Sequence, residues 1–339
     1  YEQIEATIRP YTMAGYVDID SDGPSKSVDG LSLKQGGLPT FKHEVTIDRK
    51  IMREKLMLAE AIGRTTTEID NVMVKLLFKG VDDLLGGNYN TMKYQRHQIV
   101  SNYGKLVIDA KNNPYGLPLE LDFGVSESHK TTSKWYAKDG SGNVTQDATV
   151  TKGTVDPIKV LRDIKRAAEE NDGMPSSHWE ISKTTYDDIM SLPYFRQMYV
   201  LSANPMITDK TQQIAYGNTI SEDVIFDYLQ RRVGRIEVID AVASVEKIDA
   251  TTHATKYETL KSFNDGVFVL VPDGEIGDVQ CGRPVYMETP GSRTALYDGG
   301  RTIIRQVFND ENMIQTIKSE VTALCVPNKT RWFYYVTVK

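Results

Sequence analysis

The feature that most constrains this chain is an extended segment at residues 11–48, followed at once by a long amphipathic stretch. It opens Tyr11-Thr-Met-Ala-Gly-Tyr-Val-Asp-Ile-Asp20, passes through Ser21-Asp-Gly-Pro-Ser-Lys26, and closes Gly36-Gly-Leu-Pro-Thr-Phe-Lys-His-Glu-Val-Thr-Ile-Asp48. Strand-like residues on either side of a Gly/Pro/Ser/Asp-rich middle are hairpin chemistry. Two strands alone are marginal in water. A long hairpin with little of its own to pack on needs a partner, and the nearest one is a neighbouring copy of the chain. Arms of ~15 residues would reach ~50 Å at about 3.3 Å per residue. Assembly is the expectation.

The stretch after it predicts a helix over residues 48–85, with Ile51, Leu58, Ile62, Ile69, Met73, Leu76, Leu77 and Leu84 spaced by threes, fours and sevens. Asp48 offers a cap and Gly86-Gly87 a stop. Gly63 and Thr65-Thr66-Thr67 weaken its middle, so a bend is expected there. Residues 88–124 read as β-structure, with 104–110 and 117–123 flanking the turn sequence Asn112-Asn-Pro-Tyr-Gly116. Residues 125–155 read as a long polar loop or arm with Trp135 and Tyr136 as its large anchors. Asp156-Pro157 opens a second helix, which Asn171-Asp-Gly173 ends.

Beyond residue 174 short elements alternate: a strand at Trp179-Glu-Ile181, a helix near 185–191, and a helix from Ser221 to Gly234 with Val224, Ile225, Tyr228, Leu229 and Val233. A strand follows at 235–240, and Gly266-Val-Phe-Val-Leu-Val-Pro272 has the continuous apolar character of a central strand. Two more strands, 313–324 and 331–338, close an α+β chain with protruding arms.

Composition narrows the function. With 40% apolar and 25% charged residues the chain has the make-up of a globular protein, and 339 residues allow two domains or one core with long excursions. No apolar run approaches the ~18 residues of a membrane span, and no secretory or transit signal opens the chain. It begins at Tyr1 rather than Met, which predicts that residues ahead of it are cleaved, disordered or left out. A formal charge of −6 argues against a dedicated nucleic-acid binder. The longest basic cluster, Arg231-Arg232 with Arg235, is a helix end and the turn after it. Cys281 and Cys325 give neither metal spacing nor a disulfide framework, as expected for a reducing compartment or indifference to redox.

Chemical motifs are few. Asp18, Asp20 and Asp22 at alternate positions, Gly23 at the turn and Asp29 at the twelfth place form a candidate calcium loop. Against it, no helix precedes Asp18, Ser25 sits where an apolar residue is usual, and Asp29 replaces the bidentate Glu; a solvated acidic turn is the plainer reading. His178-Trp-Glu180 matches the H-x-E of zinc deaminases, but neither cysteine supplies the P-C-x-x-C partner, which leaves a strand with one exposed histidine. Nucleophile-elbow, dinucleotide and phosphate-loop patterns are absent, and His43, His97, His129, His178 and His253 stand in unrelated contexts. Trp332-Phe-Tyr-Tyr335 suits a buried strand better than base stacking, lacking basic residues clustered nearby. No catalytic residue, metal ligand set or cofactor site is expected, and the chain reads as a non-enzyme.

Several stretches, taken in order, carry a family likeness: Lys42-His-Glu-Val45 closing the glycine-rich segment, Arg53-Glu-Lys-Leu-Met-Leu-Ala-Glu60, Leu121-Asp-Phe-Gly124 with Ser126-Glu127, Lys134-Trp135 with Lys138-Asp139, Asp156-Pro157, Val271-Pro-Asp-Gly-Glu-Ile-Gly277, and the run from Met313-Ile-Gln315 to Val338. In that order the chain resembles the major capsid proteins of tailed bacteriophages, in the group like the lambda major head protein, over nearly its whole length. Residues 139–154 and 194–221 have no counterpart in that pattern.

The resemblance implies a Hong Kong 97-type capsid fold. Residues 1–11 would be the remnant of an N-terminal arm and 12–46 an extended β-hairpin loop lying over an adjacent subunit. Residues 47–173 would form a peripheral domain with a spine helix at 48–86 and β/loop insertions, 174–283 an axial domain, and 284–339 return strands to the peripheral domain. It implies self-assembly into hexamers and pentamers of an icosahedral head that encloses double-stranded DNA without sequence-specific binding. Scaffold, portal and decoration proteins would be further partners, the location a virion assembled in the host cytoplasm, and no membrane would be involved. Leu31, Leu33, Leu38 and Phe41, with Lys42, His43 and Glu44 at the base of the loop, are the expected subunit-interface residues. A cellular nanocompartment shell of the same fold, a calcium-binding module and an enzyme are the alternatives.

Overall fold

The computed structural model describes residues 2–6, 31–35, 38–47, 53–54, 57, 66–113, 118–248, 255–283, 293–309 and 314–339. The candidate calcium loop (Asp18, Asp20, Asp22, Asp29) and most of residues 48–65 lie outside them. Two short strands, β1 (Glu2–Ala6) and β2 (Leu31–Gln35), pair with each other. They are followed by β3 (Thr40–Ile47) and the helix α1 (Thr66–Ser101). The hairpin β4 (Lys105–Ile108) with β5 (Leu119–Asp122) comes next, then β6 (Lys130–Thr132) and the hairpin β7 (Tyr136–Lys138) with β8 (Val144–Gln146).

Helix α2 (Pro157–Asp172) leads to β9 (Ser177–Ser182), α3 (Lys183–Met190), α4 (Pro193–Ala203), α5 (Lys210–Gly217) and α6 (Glu222–Val233). The remaining elements are β10 (Ile236–Ile239), the hairpin β11 (Val242–Ile248) with β12 (Thr255–Lys261), β13 (Val267–Pro272), β14 (Gly277–Cys281), β15 (Arg293–Tyr297), β16 (Thr302–Asn309), β17 (Ile314–Pro327) and β18 (Tyr334–Thr337). The chain is α+β, as its patterning predicts.

The chain divides into two units: Tyr1–Gln3, Lys34–Gln95 and Asp278–Val326 in the first; Ile4–Leu33, Arg96–Gly277 and Pro327–Lys339 in the second. The first unit is built on an antiparallel sheet in the order β14-β17-β16-β15, with β3 also paired to β17. Along β3 burial alternates, with Phe41, His43 and Val45 half-buried and Lys42 and Glu44 exposed. Val45 joins Val81, Leu84 and Leu85 of α1 and Ile304 and Ile317 of the sheet in a small apolar cluster.

The second unit is built on the sheet β10-β9-β13-β18-β6. All six residues of β13 are buried, because apolar layers cover both faces. Phe268 and Leu270 face one layer with Trp135, Trp179, Leu161, Leu229 and Val336. Val267, Val269 and Val271 face the other with Val100, Val125, Phe263, Phe333 and Tyr335. Two-sided burial is what a continuous apolar run requires, and the expected central strand is found. Asp156 caps α2 by accepting from the Lys159 amide, Pro157 sits at its first position and Gly173 ends it, as the sequence predicts.

Two expectations fail. The helix does not stop at Gly86-Gly87: α1 runs 36 residues to Ser101, a length of about 54 Å at 1.5 Å per residue. Residues 88–101 are therefore helical and not β-structure. Gly87 serves close packing, since a Cβ there would collide with the His43 ring of β3. Residues 125–155 are not a loose arm either. Trp135 and Tyr136 are fully buried, β6 pairs with β18, and β7 with β8 forms a hairpin. Polar composition misled there because two fully buried aromatics anchor the whole stretch.

Candidate functional site

The residues expected at the base of the extended segment come together in the first unit, where β3 pairs antiparallel with β17 over eight residues. Lys42-His-Glu44 lies against Lys318-Ser-Glu320, so Lys42 stands opposite Glu320 and Glu44 opposite Lys318. Lys42 Nζ is 3.4 Å from Glu320 Oε1, and Lys318 Nζ is 2.8 Å from Glu44 Oε2. Unlike charges face each other only in this register; a slip of two residues would oppose Lys42 to Lys318 or Glu44 to Glu320. An exposed cross-strand pair such as Glu44–Lys318 is worth only a few tenths to about 1 kcal/mol. Glu320 is fully buried, so Lys42 also compensates a desolvated carboxylate, and the sign of both pairs penalises every neighbouring register of the same facing.

On the opposite face a polar stitch joins three elements. His43 Nε2 lies 2.9 Å from Asn88 Oδ1 of α1, and Asn88 Nδ2 donates to Ser319 Oγ of β17 at 2.8 Å. Asn88 and Ser319 are buried. Burial lowers the His43 pKa below 6.5, with the Asn88 side chain and the Leu84 backbone pulling weakly the other way. His43 therefore sits as a neutral ring holding β3 against the helix. Thr40 adds a hydroxyl contact to Thr322 at 2.8 Å.

Of the expected interface residues, Lys42, His43 and Glu44 are thus engaged within their own chain. Leu38 and Phe41 are half-buried, Leu38 beside Gly282 and Phe41 opposite Val321. Leu31 and Leu33 lie in β2. The expectation that the closing strand of the segment lacks a partner in its own chain is corrected: β17 is that partner. Asn88, Lys318, Ser319 and Glu320 were not singled out from sequence. The repeated pattern Lys-x-Glu in two predicted strands was the signal that could have found three of them.

The second unit holds a distinct ionic cluster at the H-x-E motif. His178 is not an exposed histidine, its side chain being 11% accessible. Its Nδ1 lies 2.6 Å from Asp273 Oδ1 and its Nε2 3.6 Å from Glu180 Oε1. Glu180 is buried on β9 and receives Arg96 Nη2 of α1 at 2.7 Å. Hydrogen bonding to Glu180 raises the His178 pKa, burial opposes, and Asp273 adds to the rise. Burial by itself would raise the Glu180 carboxyl, but His178 and Arg96 outweigh it and the net shift is downward. His178 and Glu180 form the buried centre of an ion network whose outer members, Arg96, Asp273 and Glu237, reach solvent. Among the described residues no group of three or more His, Cys, Asp and Glu side chains could hold a metal ion, and no helix is long and apolar enough to cross a membrane.

No family model and no curated protein matches the chain. Among solved structures it is similar to a protein described as a prophage capsid protein from Escherichia coli CFT073, with a TM-score of 0.43 and 12% identity, over 92% of this chain and 80% of that one. It is similar to a chain of the mature capsid of bacteriophage PhiM1, with a TM-score of 0.42 and 8% identity, over 100% of this chain and 81% of that one. A chain of the satellite phage P4 procapsid that includes the size determination protein gives a TM-score of 0.39 and 9% identity, over 99% and 88%.

Proposed function

We propose that this chain is the major capsid protein of a tailed bacteriophage, of the Hong Kong 97 type, building hexamers and pentamers of an icosahedral head around double-stranded DNA. Its role is structural, not enzymatic, its principal partner is itself, and its place is the virion. The observation that carries the reading is the built base of the extended segment. Strand β3 is pinned to β17 by an eight-residue ladder with charge-coded register and by the His43–Asn88–Ser319 stitch. Ahead of that base, residues 11–37 carry hairpin patterning of their own. A pinned base gives such a segment a fixed direction, which a shell subunit needs if each copy is to reach the next in the same way. Head-to-tail contacts repeated about a rotation axis close rings.

On this reading residues 47–173 and the return strands at 284–339 form the peripheral domain, and residues 174–283 the axial domain. Lys42, His43 and Glu44 set the angle at which the segment leaves, and Leu31, Leu33, Leu38 and Phe41 meet the neighbouring subunit. Scaffold, portal and decoration proteins would join in assembly within the host cytoplasm. The test is expression of the chain, alone and with candidate scaffold, followed by sedimentation and negative-stain microscopy. Closed shells, or free hexamers and pentamers, are expected. Deleting residues 20–37 should leave a folded monomer that builds none; normal shells from that deletion would sink the role given to the segment.

A further inference from the structure

In the second unit, α2 and α6 pack on each other, and Ile158, Leu161 and Ala168 of the one share an apolar cluster with Ile225, Leu229 and Val233 of the other. Beside that contact lies a groove of about 270 Å³ lined by Arg162, Lys165, Arg166 and Glu169 of α2, and by Arg232, Val233 and Gly234 at the end of α6. Sequence places Arg232 at a helix end and the α2 cations some 65 residues earlier, about the distance from 166 to 232; the fold gathers them. Gly234, at φ 100°, lies directly beside Lys165, whose Nζ would be 2.6 Å from a Cβ at that position. The groove thus presents four cations and one carboxylate.

None of Arg162, Lys165, Arg166 and Arg232 has an ion-pair partner among the described residues. Arg232 reaches only Ser202 Oγ at 3.4 Å and the Tyr228 ring at 5.2 Å. That is unusual in a chain of net charge −6, where carboxylates outnumber basic groups. Arg162 and Arg166 stand one helical turn apart, where like charges repel and weaken a helix. Three guanidinium forks facing one concave, unneutralised strip suit the planar, bidentate recognition of phosphate oxygens.

We infer that this groove binds the phosphate backbone of nucleic acid, without reading its sequence. The choice of nucleic acid over free phosphate rests on the shell reading, since a head encloses such a polymer; the preference for phosphate rests on the groove itself. Phosphates on a polymer can neutralise several of the four cations together, releasing counterions as they do. Confined to one strip, a weak, sequence-blind contact of this kind does not conflict with the chain's net charge of −6.

The test is fluorescence anisotropy of a labelled 20-base-pair random duplex with the purified chain, from low to physiological salt. Expected is binding whose salt slope has a magnitude of about 3 to 4, one unit per phosphate contact. In R162E/R166E the affinity should fall about tenfold or more and the slope by about 2. Unchanged affinity in that variant, or binding indifferent to salt, overturns the inference. So does equal loss in K111E/K152E, which reverses two exposed lysines outside the groove. Circular dichroism confirms that R162E/R166E is folded; should it not be, R162Q/R166Q is read by the same criteria. Inorganic tripolyphosphate and poly-glutamate are the competitors. Weak competition by both is expected, and a groove that binds either one but not the duplex overturns the nucleic-acid assignment. Shell formation by R162E/R166E is scored separately, so a failed groove leaves the shell reading standing, and a failed shell leaves the binding curve interpretable.

Discussion

Strands β13 and β3, one from each of the two main sheets, are held in opposite ways. In the second unit, β13 is buried along its whole length between two apolar layers, and Phe268 sits between Trp135 and Trp179 with ring centroids 5.2 and 6.0 Å away. In the first unit, no described side chain of β3 is fully buried, and the strand is held by a ladder, two charge pairs and the hydrogen bonds that join the half-buried His43 to the buried Asn88 and Ser319. A strand of the first kind is held by non-directional apolar burial. One of the second kind is held by directional contacts that specify where it lies and give little excess stability.

The largest test of the contrast is Phe268→Ala. Truncating a fully buried aromatic costs about 3–5 kcal/mol. All three tryptophans, Trp135, Trp179 and Trp332, belong to the second unit, so urea unfolding followed by tryptophan fluorescence reads that unit alone. A loss under about 1 kcal/mol would mean that the layer is loosely packed and the contrast overstated.

Next in size is Asn88→Ala, which strips partners from His43 and Ser319 together. Leaving buried polar groups unsatisfied costs about 1–3 kcal/mol. The expected signature is local: faster hydrogen exchange at β3 amides, with tryptophan-detected unfolding unchanged. Uniform exchange across both sheets would show that β3 is not separately held.

Protonation should affect the two regions with opposite sign. The His43 pKa is lowered, so the folded first unit resists protonation; its contribution is complete above the unfolded value of 6.5 and is lost as pH falls from there through the folded pKa. The His178 pKa is raised; its contribution is complete below 6.5 and is lost as pH rises through the folded pKa. In an NMR titration His178 should titrate above 6.5 and His43 below it, and β3 amides should lose protection on mild acidification. The reverse order of titration would contradict the burial and pairing described for both rings.

Legibility from sequence followed the same divide. Where apolar burial decides the structure, the chain announced it: the run 266–272, the cap Asp156-Pro157 and the strand at 313–324 were all readable. Where long-range pairing decides, it did not. The β3–β17 ladder joins residues between 268 and 282 positions apart, and no local pattern states such a register. The buried anchors Trp135 and Tyr136 were visible, yet the polar residues around them concealed a folded region. Hairpin β11–β12 was missed because its exposed Val242 and Tyr257 break the apolar alternation that marks a half-buried strand.

The smallest test turns on the two adjacent glycines that were read as a helix stop. Gly86 is exposed with nothing near the position of a Cβ, whereas a Cβ on Gly87 would strike the His43 ring. Helix propensity favours Ala over Gly by about 1 kcal/mol at either place. Gly86→Ala should therefore slow exchange modestly along the 80–95 stretch of α1, leaving β3 untouched. Gly87→Ala gains the same propensity but must displace His43, and overpacking at such a contact costs about 1–3 kcal/mol. Its expected outcome is a slight net loss concentrated in β3. If both substitutions stabilise equally, the glycine at 87 is no packing device, and the polar stitch has slack enough to admit a methyl group.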